Sequence, residues 1–405
     1  MKVYPINPVH PVKTPWPTVR LGEVLTHYTK YIEVPEPREY LKLSVKLYGK
    51  GVVLDAPVNG TMLKMKRHQL AKAGQVILSE IWGKKGAIGF VPPEGEGALC
   101  TSHFFLFDVR EDKLDRRWLK AIFDANYLQE QLDAEAKGTT GYAAVRPKML
   151  LACEIPLPPL AEQGRVVARI EELAAQIHEA RTLRHQAAEE AEALVHANRN
   201  RSFQELSAHR TRARLDTVAS CRLGKMLDPR FKTGVGSTPY LRNANVQWDR
   251  LDLSEVYQMD FRDEERAEFA LESGDIFVCE GGDIGKAAIW NNEIPGCCYQ
   301  KALHRVRCDR ERTLPRFVLH HLFWAANEGH WLELKTQTTI PHLTGVKLKA
   351  YAVFVPPLPK QRWIVSELDA LQAEVDALKR LQAETAQELD ALLPSILDRA
   401  FKGEL

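Results

Sequence analysis

The sequence predicts an α+β protein in which two pseudo-symmetric globular domains are separated by a pair of long antiparallel coiled-coil helices. Three observations carry that expectation. First, Leu157-Pro158-Pro159-Leu160-Ala161-Glu162-Gln163 returns as Val355-Pro356-Pro357-Leu358-Pro359-Lys360-Gln361, 198 residues later. Second, the same shift holds without a gap along the stretch after each motif, pairing Val166 with Ile364, Leu173 with Leu371, Leu183 with Leu381, Leu194 with Leu392 and Phe203 with Phe401. Third, a shift close to 200 continues upstream, where Tyr40-Leu41 matches Tyr240-Leu241, Gly74-Gln75-Val76 matches Gly274-Asp275-Ile276, and Glu80 matches Glu280. A period this long is a duplicated domain-plus-helix unit, not a solenoid repeat.

Each globular half reads as strands, then a helix, then a polar loop. Gln75 to Leu78 follows Gly74 as a strand, and His103 to Phe107 is another. Arg117 to Gln131 spaces Trp118, Ile122 and Leu128 as a helix does; Arg316 to Trp324, continuing to Leu334, is its counterpart. The loops are Lys137-Gly138-Thr139-Thr140-Gly141 and Thr336 to His342. The proline-rich start (Pro5, Pro8, Pro11, Pro15, Pro17) predicts extended chain.

The proline pairs end a strand and open a helix, where proline is tolerated. No proline interrupts Leu160 to Phe203, which at about 1.5 Å per residue predicts a rod of roughly 65–70 Å. The second helix runs from Leu358 to about Phe401, with Pro394 expected to bend its last turns. Both carry a 4-3 stripe in one register. In the first it is Val166, Ile170, Leu173, Ile177, Ala180, Arg184, Ala187, Ala191 and Leu194. In the second it is Ile364, Leu368, Leu371, Val375, Leu378, Gln382, Thr385, Leu389, Leu392 and Ile396. Such stripes pack as a coiled coil, and the shared polar middle predicts mutual pairing; burial of each stripe on its own globular half is the alternative. The boundaries are 1–155, 156–206, 207–353 and 354–405.

Composition narrows the class. The chain has 405 residues, 45% hydrophobic and 27% charged, as soluble globular proteins do. No apolar run is long enough for a membrane span, and the N-terminus lacks a secretory h-region, so a cytoplasmic protein is expected. Seven cysteines without a C-x-x-C pair predict reduced thiols and no zinc. The net charge of +2 divides unevenly: the two helical segments hold 12 basic and 17 acidic residues, or −5, leaving 43 against 36, or +7, elsewhere. Basic globular halves suit a polyanion, although ordinary surface variation gives such splits too.

Catalytic signatures are missing. There is no Asn/Asp-Pro-Pro-aromatic motif and no glycine-rich S-adenosylmethionine loop. Gly281-Gly282-Asp283-Ile284-Gly285-Lys286 lacks P-loop spacing and its Ser/Thr, as does Gly83-Lys84-Lys85-Gly86; both predict tight turns. His320-His321 sits in an apolar helical run and reads as structural. Asp260 to Glu268 interleaves Arg262 and Arg266 among its acids and reads as a solvated face.

Tyr240-Leu241-Arg242-Asn243-Ala244-Asn245-Val246, then Gly274-Asp275-Ile276, Gly281-Gly282 and Pro341-His342-Leu343, resemble a target-recognition domain. The Leu-Pro-Pro-Leu-x-Glu-Gln entry to a long helix resembles the conserved region that follows it, and Ser395 to Leu405 resembles the family's terminus. The family is the DNA specificity subunit of type I restriction–modification enzymes, and the resemblance covers nearly the whole chain. The first copy departs from the pattern: Leu43-Ser44-Val45 replaces Asn243-Ala244-Asn245, and Gly138-Thr139-Thr140-Gly141-Tyr142 replaces Thr-Ile-Pro-His-Leu.

The resemblance implies a non-catalytic subunit binding bipartite double-stranded DNA, one half-site per domain, with the rod setting the spacer. It implies two methyltransferase (modification) subunits as partners, restriction/translocase subunits joining them, and S-adenosylmethionine, ATP and Mg on those partners. A methylation-only or other anti-phage assembly, or a coiled-coil scaffold, are the alternatives. Base readout in a major groove needs long polar side chains on loops. The first domain offers Lys64, Lys66, Arg67, His68, Lys84, Lys85, Thr139, Thr140, Tyr142 and Arg146. The second offers Arg222, Lys225, Arg242, Asn243, Asn245, Gln247, Lys286, Thr338, Thr339 and His342.

Overall fold

A computed structural model describes residues 15–33, 38–63, 67–135, 144–208, 212–226, 237–333 and 342–405. The chain divides into two compact units, residues 1–184 with 383–405, and residues 185–382. Each unit therefore takes one globular half together with segments of both long helices.

In the first unit a four-stranded antiparallel sheet runs in the order Leu25–Tyr28, Phe104–Val109, Val76–Ser79, Ile88–Phe90. The whole of Val76–Ser79 is buried. Its side chains alternate between two cores, as strand geometry requires: Val76 and Leu78 face the core under the helix Arg116–Asp124, while Ile77 faces a second core holding Leu43 and Leu106. A second, five-stranded sheet carries that smaller core. Asp115 caps the helix by accepting from the Arg117 amide, and Trp118, Leu119, Ile122 and Phe123 fill its buried face. The expected single helix to Gln131 is two, broken after Asp124 and resumed at Gln129–Glu135.

The second unit repeats the plan. Its four-stranded sheet is Ala219–Leu223, Leu303–Cys308, Ile276–Cys279, Ala287–Ile289; the helix expected to continue to Leu334 is Pro315–Asn327, followed by a separate short helix His330–Glu333. Strands Thr18–Arg20 with Glu154–Pro156, and Arg212–Arg214 with Ala352–Phe354, tie each half's beginning to its end.

The first long helix is continuous, Leu160–Ser207. The second differs from expectation: it is two helices, Leu358–Glu384 and Ala386–Phe401, broken at Thr385, while Pro394 sits inside the later piece. Thr385 takes φ −90 and ψ 0, off the helical ladder, nine residues before the proline that was expected to bend it. The pairing is antiparallel in both units. In the first, Arg165 donates to the Leu405 carbonyl at 2.7 Å, Arg181 pairs with Asp390 at 2.7 Å, and Arg184 donates to the Thr385 hydroxyl at 2.8 Å. In the second, Lys379 pairs with Glu192.

Both readings of the stripe hold, in different places. At the helix ends it is absorbed by globular cores: Val166 and Ile170 in the first unit, Ile364 and Leu368 in the second. In the middle, Ile177 and Val375 are buried and Arg184 meets Thr385 as a polar layer. The heptad spacing itself drifts. Leu194 is 52% exposed and Leu392 45% exposed, while Val195 and Leu397 are each 3% exposed. Half-buried Arg184 and buried Val195 and Leu206 follow one another at eleven-residue steps, a spacing of about 3.67 residues per turn that drifts around the helix in the opposite sense to a heptad.

Candidate nucleic-acid interface

Both units build the same corner where the central strand of the four-stranded sheet ends. In the first, the Glu80 amide donates to the His103 carbonyl and its carbonyl accepts from the Val145 amide, each at 2.8 Å. In the second, the Glu280 amide donates to the Ala302 carbonyl at 2.9 Å and its carbonyl accepts from the Leu343 amide at 2.7 Å. The strand end, the neighbouring strand and the chain leaving the polar loop are thereby locked together. Glycines make the turns that follow, Gly86 at φ 69 and Gly285 at φ 83, where a side chain would be strained.

The second unit's corner is lined by amides. Asn243 donates Nδ2 to the Gly281 carbonyl at 2.9 Å, while its buried Oδ1 has no partner. His342 stands over Gly281 with its own buried Nδ1 unpartnered. Lys286 donates to Gln247 Oε1 at 3.1 Å and pairs with Asp283 at 2.5 Å. Asn243, Gln247, Lys286 and His342, drawn from stretches up to 99 residues apart in sequence, are thus brought to one place.

The first unit's corner is cationic and apolar. The Glu80 carboxylate receives Arg146 Nη1 at 2.5 Å and His103 Nδ1 at 2.9 Å. Beyond it the turn presents Ile81 and Trp82, 44% and 48% exposed, with Lys85 Nζ 5.0 Å from the Trp82 ring. Lys84 and Arg146 flank them. At the position of Asn243, Leu43 is 4% exposed and packed in the smaller core, which explains in packing terms why this copy departs from the amide pattern.

Other candidates are occupied elsewhere. Asn245 is 3% exposed; it donates to the Asp252 and Glu255 carbonyls at 2.8 and 2.9 Å and accepts from the Arg242 amide, so it pins its turn and does not reach outward. His68 is 3% exposed within a strand, and Arg67 covers the Tyr31 ring at 4.6 Å. Arg242 lies 3.8 Å from the Tyr257 ring and pairs with Glu255 at 2.5 Å. Arg222 and Lys225 form a separate cluster with Glu268 and Glu265. The solvated reading of Asp260 to Glu268 holds for the helix Asp263–Glu268, which has no buried residue, with half-buried Glu265 as its most enclosed acid. Burial opposes its ionisation, yet bonds from Lys225 at 2.7 Å and from the Arg262 amide and side chain bring its pKa down to about 2. Lys64, Lys66, Thr139, Thr140, Tyr142, Thr338 and Thr339 lie outside the described residues.

No group of three His, Cys, Asp or Glu placed to hold a metal occurs among the described residues. The seven cysteines are free, and burial pushes thiols such as Cys100 and Cys279 up to about 12. His321, fully buried, is held neutral by that burial, with its pKa near 3. No helix of the described residues is long and apolar enough to cross a membrane.

Sequence reasoning missed Ile81 and Trp82, whose exposure depends on the turn's packing. It also missed the role of the repeated glutamine. Gln163 is fully buried, accepts from the Asp115 amide and donates to the Lys113 and Pro158 carbonyls; Gln361 does the same for Leu314, Arg312 and Pro356. The repeat itself was the available signal.

The family described as "Type I restriction modification DNA specificity domain" matches this chain twice, at residues 14–184 and 214–386. The specificity subunit of the type I restriction enzyme EcoKI from Escherichia coli (strain K12) is 21% identical over 368 residues, 84% of this chain and 77% of that protein. The StySPI specificity subunit from Salmonella potsdam is 22% identical over equal shares. The crystal structure of the HsdS subunit from Thermoanaerobacter tengcongensis aligns with a TM-score of 0.66 at 24% identity, over 98% of this chain and 99% of that one. A structure described under "complex assembly and conformational transition of the type I R-M system" aligns with a TM-score of 0.71 at 25% identity, over 98% and 100%.

Proposed function

Because the chain belongs to the type I restriction–modification DNA specificity family, with two recognition domains in one polypeptide, we propose that the corner at Glu80 and the corner at Glu280 each read one half of a bipartite double-stranded DNA target. The protein is a specificity subunit, the DNA-recognition component of such a system and not its catalytic one. The observation that carries the reading is the corner itself, built twice with the same backbone lock and different side chains. A shared scaffold with divergent polar tips is what two independent half-site readers require, since contacts to base edges specify and phosphate contacts only position. Gln247 and Lys286 present amide and ammonium groups suited to base edges, on a turn that Asn243 holds in place. In the first unit Lys84, Lys85 and Arg146 offer charge to phosphate, and Trp82 offers an apolar face.

The long helices fix the unread spacer and dock two modification subunits, which bind S-adenosylmethionine and methylate the target. Restriction subunits carrying ATP and Mg join the same assembly. The site of action is the cytoplasm, where the DNA lies. The test is methylome sequencing of the host with and without this gene. Loss of adenine methylation at a single split motif, with two short halves and a fixed spacer, is the expected result. An unchanged methylome, in a host whose modification subunit is expressed, would sink the reading.

A further inference from the structure

The second unit holds a buried cation whose Nε has no hydrogen-bond acceptor among the described residues. Arg199, near the end of the first long helix, is 5% exposed. Its guanidinium lies 4.1 Å from the Phe323 ring centroid, and its Nε is buried. The carboxylates near it are engaged. Asp249 pairs with Arg316, and Asp369 receives Arg316 at 2.8 Å and His320 at 2.9 Å. Burial costs this arginine enough to bring its pKa down to about 10.

Folding alone does not call for a cation here. The repeat places Leu397 at the equivalent position in the other unit, where it is 3% exposed and part of an apolar core. The helices that face these residues correspond through Arg117 and Arg316, which pair with the equivalent carboxylates Glu171 and Asp369. On that alignment Ala121 and Asp124 stand where the second unit has His320 and Phe323. A buried, unpaired charge destabilises a fold that could use an apolar residue in its place.

A cavity of about 500 Å³ opens beside Arg199, lined by His196, Trp248, Arg250, Phe323, Gln372 and Asp376 among others. That is within the roughly 300–1,000 Å³ of small-ligand sites. Trp248 meets Phe323 edge-on with ring centroids 4.6 Å apart, giving the cavity an aromatic wall. Of its acids, Glu192 is held by Lys379 and Asp376 accepts from Gln372 at 3.0 Å. We propose that this cavity is an oxyanion-binding site, in which Arg199 holds a carboxylate or phosphate and Trp248 packs against the group that carries it. The oxyanion comes either from a free small molecule or from an acidic side chain of a partner subunit; only the second source rests on the proposed function.

The test is calorimetric titration of the full chain with inorganic phosphate, benzoate and AMP, for the native protein, Arg199→Met and Trp248→Ala. One or more probes should bind the native protein, and Arg199→Met should weaken that binding at least tenfold. Trp248→Ala leaves the guanidinium in place; it should weaken benzoate and AMP at least fivefold and phosphate little. Arg199→Met should unfold at a higher temperature than the native chain when no probe is present. If no free probe binds, but Arg199→Met weakens assembly with modification subunits at least tenfold, the partner is the source. No probe binding together with unchanged assembly overturns the proposal. Target-DNA binding by the same preparations reports separately on the half-site reading.

Discussion

Gln163 and Gln361 show how much one side chain can organise. Each joins a helix N-terminus, the loop before it and the proline pair through three hydrogen bonds, with no access to water. Leaving such groups buried and unpaired is costly. Gln361→Ala should cost roughly 2–4 kcal/mol, and Gln361→Glu more, because a carboxyl group cannot donate to two carbonyls and is buried either charged or protonated at a cost. Thermal unfolding of the two variants checks this, and a loss under about 0.5 kcal/mol for either would refute it. Glu265 makes a second prediction. Its folded pKa, about 2, lies below its ordinary value of 4.5, so its stabilisation is fully present above about pH 4.5 and is lost as the pH falls toward 2. Urea midpoints measured across that window should fall less steeply for Glu265→Gln than for the native chain. The glutamines were visible in the sequence as repeated letters, but their partners lie 47 to 50 residues away for the amide and loop carbonyl. No local pattern encodes that.

At the scale of elements, helices and strands were legible where apolar periodicity was strong: Val76–Ser79, Phe104–Val109, Leu160–Ser207 and Pro315–Asn327 all stand close to where spacing placed them. What spacing could not supply was the helix's own twist. A heptad stripe assumes left-handed supercoiling, whereas the first long helix buries residues at the eleven-residue period, which winds the other way, and turns Leu194 outward. The consequence is a sharp contrast between neighbours. Val195→Asp should destabilise the chain by roughly 3 kcal/mol or more, since it buries an unpaired carboxylate. Leu194→Asp should stay within about 0.5 kcal/mol, as surface substitutions do. Equal effects in chemical denaturation of the isolated chain would contradict the register described here. The break at Thr385 was equally hidden, because proline is the visible breaker and Pro394 drew the expectation away from it.

At the scale of the whole molecule, duplication followed by divergence explains both the strength and the limit of the sequence reading. What the two copies share, the strand-end lock at Glu80 and Glu280 and the glutamine cap, is scaffold, and it announces itself as repetition. What distinguishes them is the side chains around the corner, and there local sequence was a poor guide: Asn245 and His68 are buried, Lys225 is held by Glu265, exposed Arg222 pairs with Glu268, and Trp82 was overlooked. The corner makes a prediction that separates the copies. Asn243→Ala removes the amide whose Nδ2 holds the Gly281 carbonyl and so loosens the turn that leads to Lys286. Losing a base contact made from that turn costs about 1–3 kcal/mol and relaxes discrimination at that base alone. Methylome or competition-binding profiles should therefore change in one half of the split motif and stay intact in the other. Trp82→Ala should act on the opposite half. If both variants weaken both halves equally, the corners position the DNA without reading it, and base readout must lie in the loops beyond them.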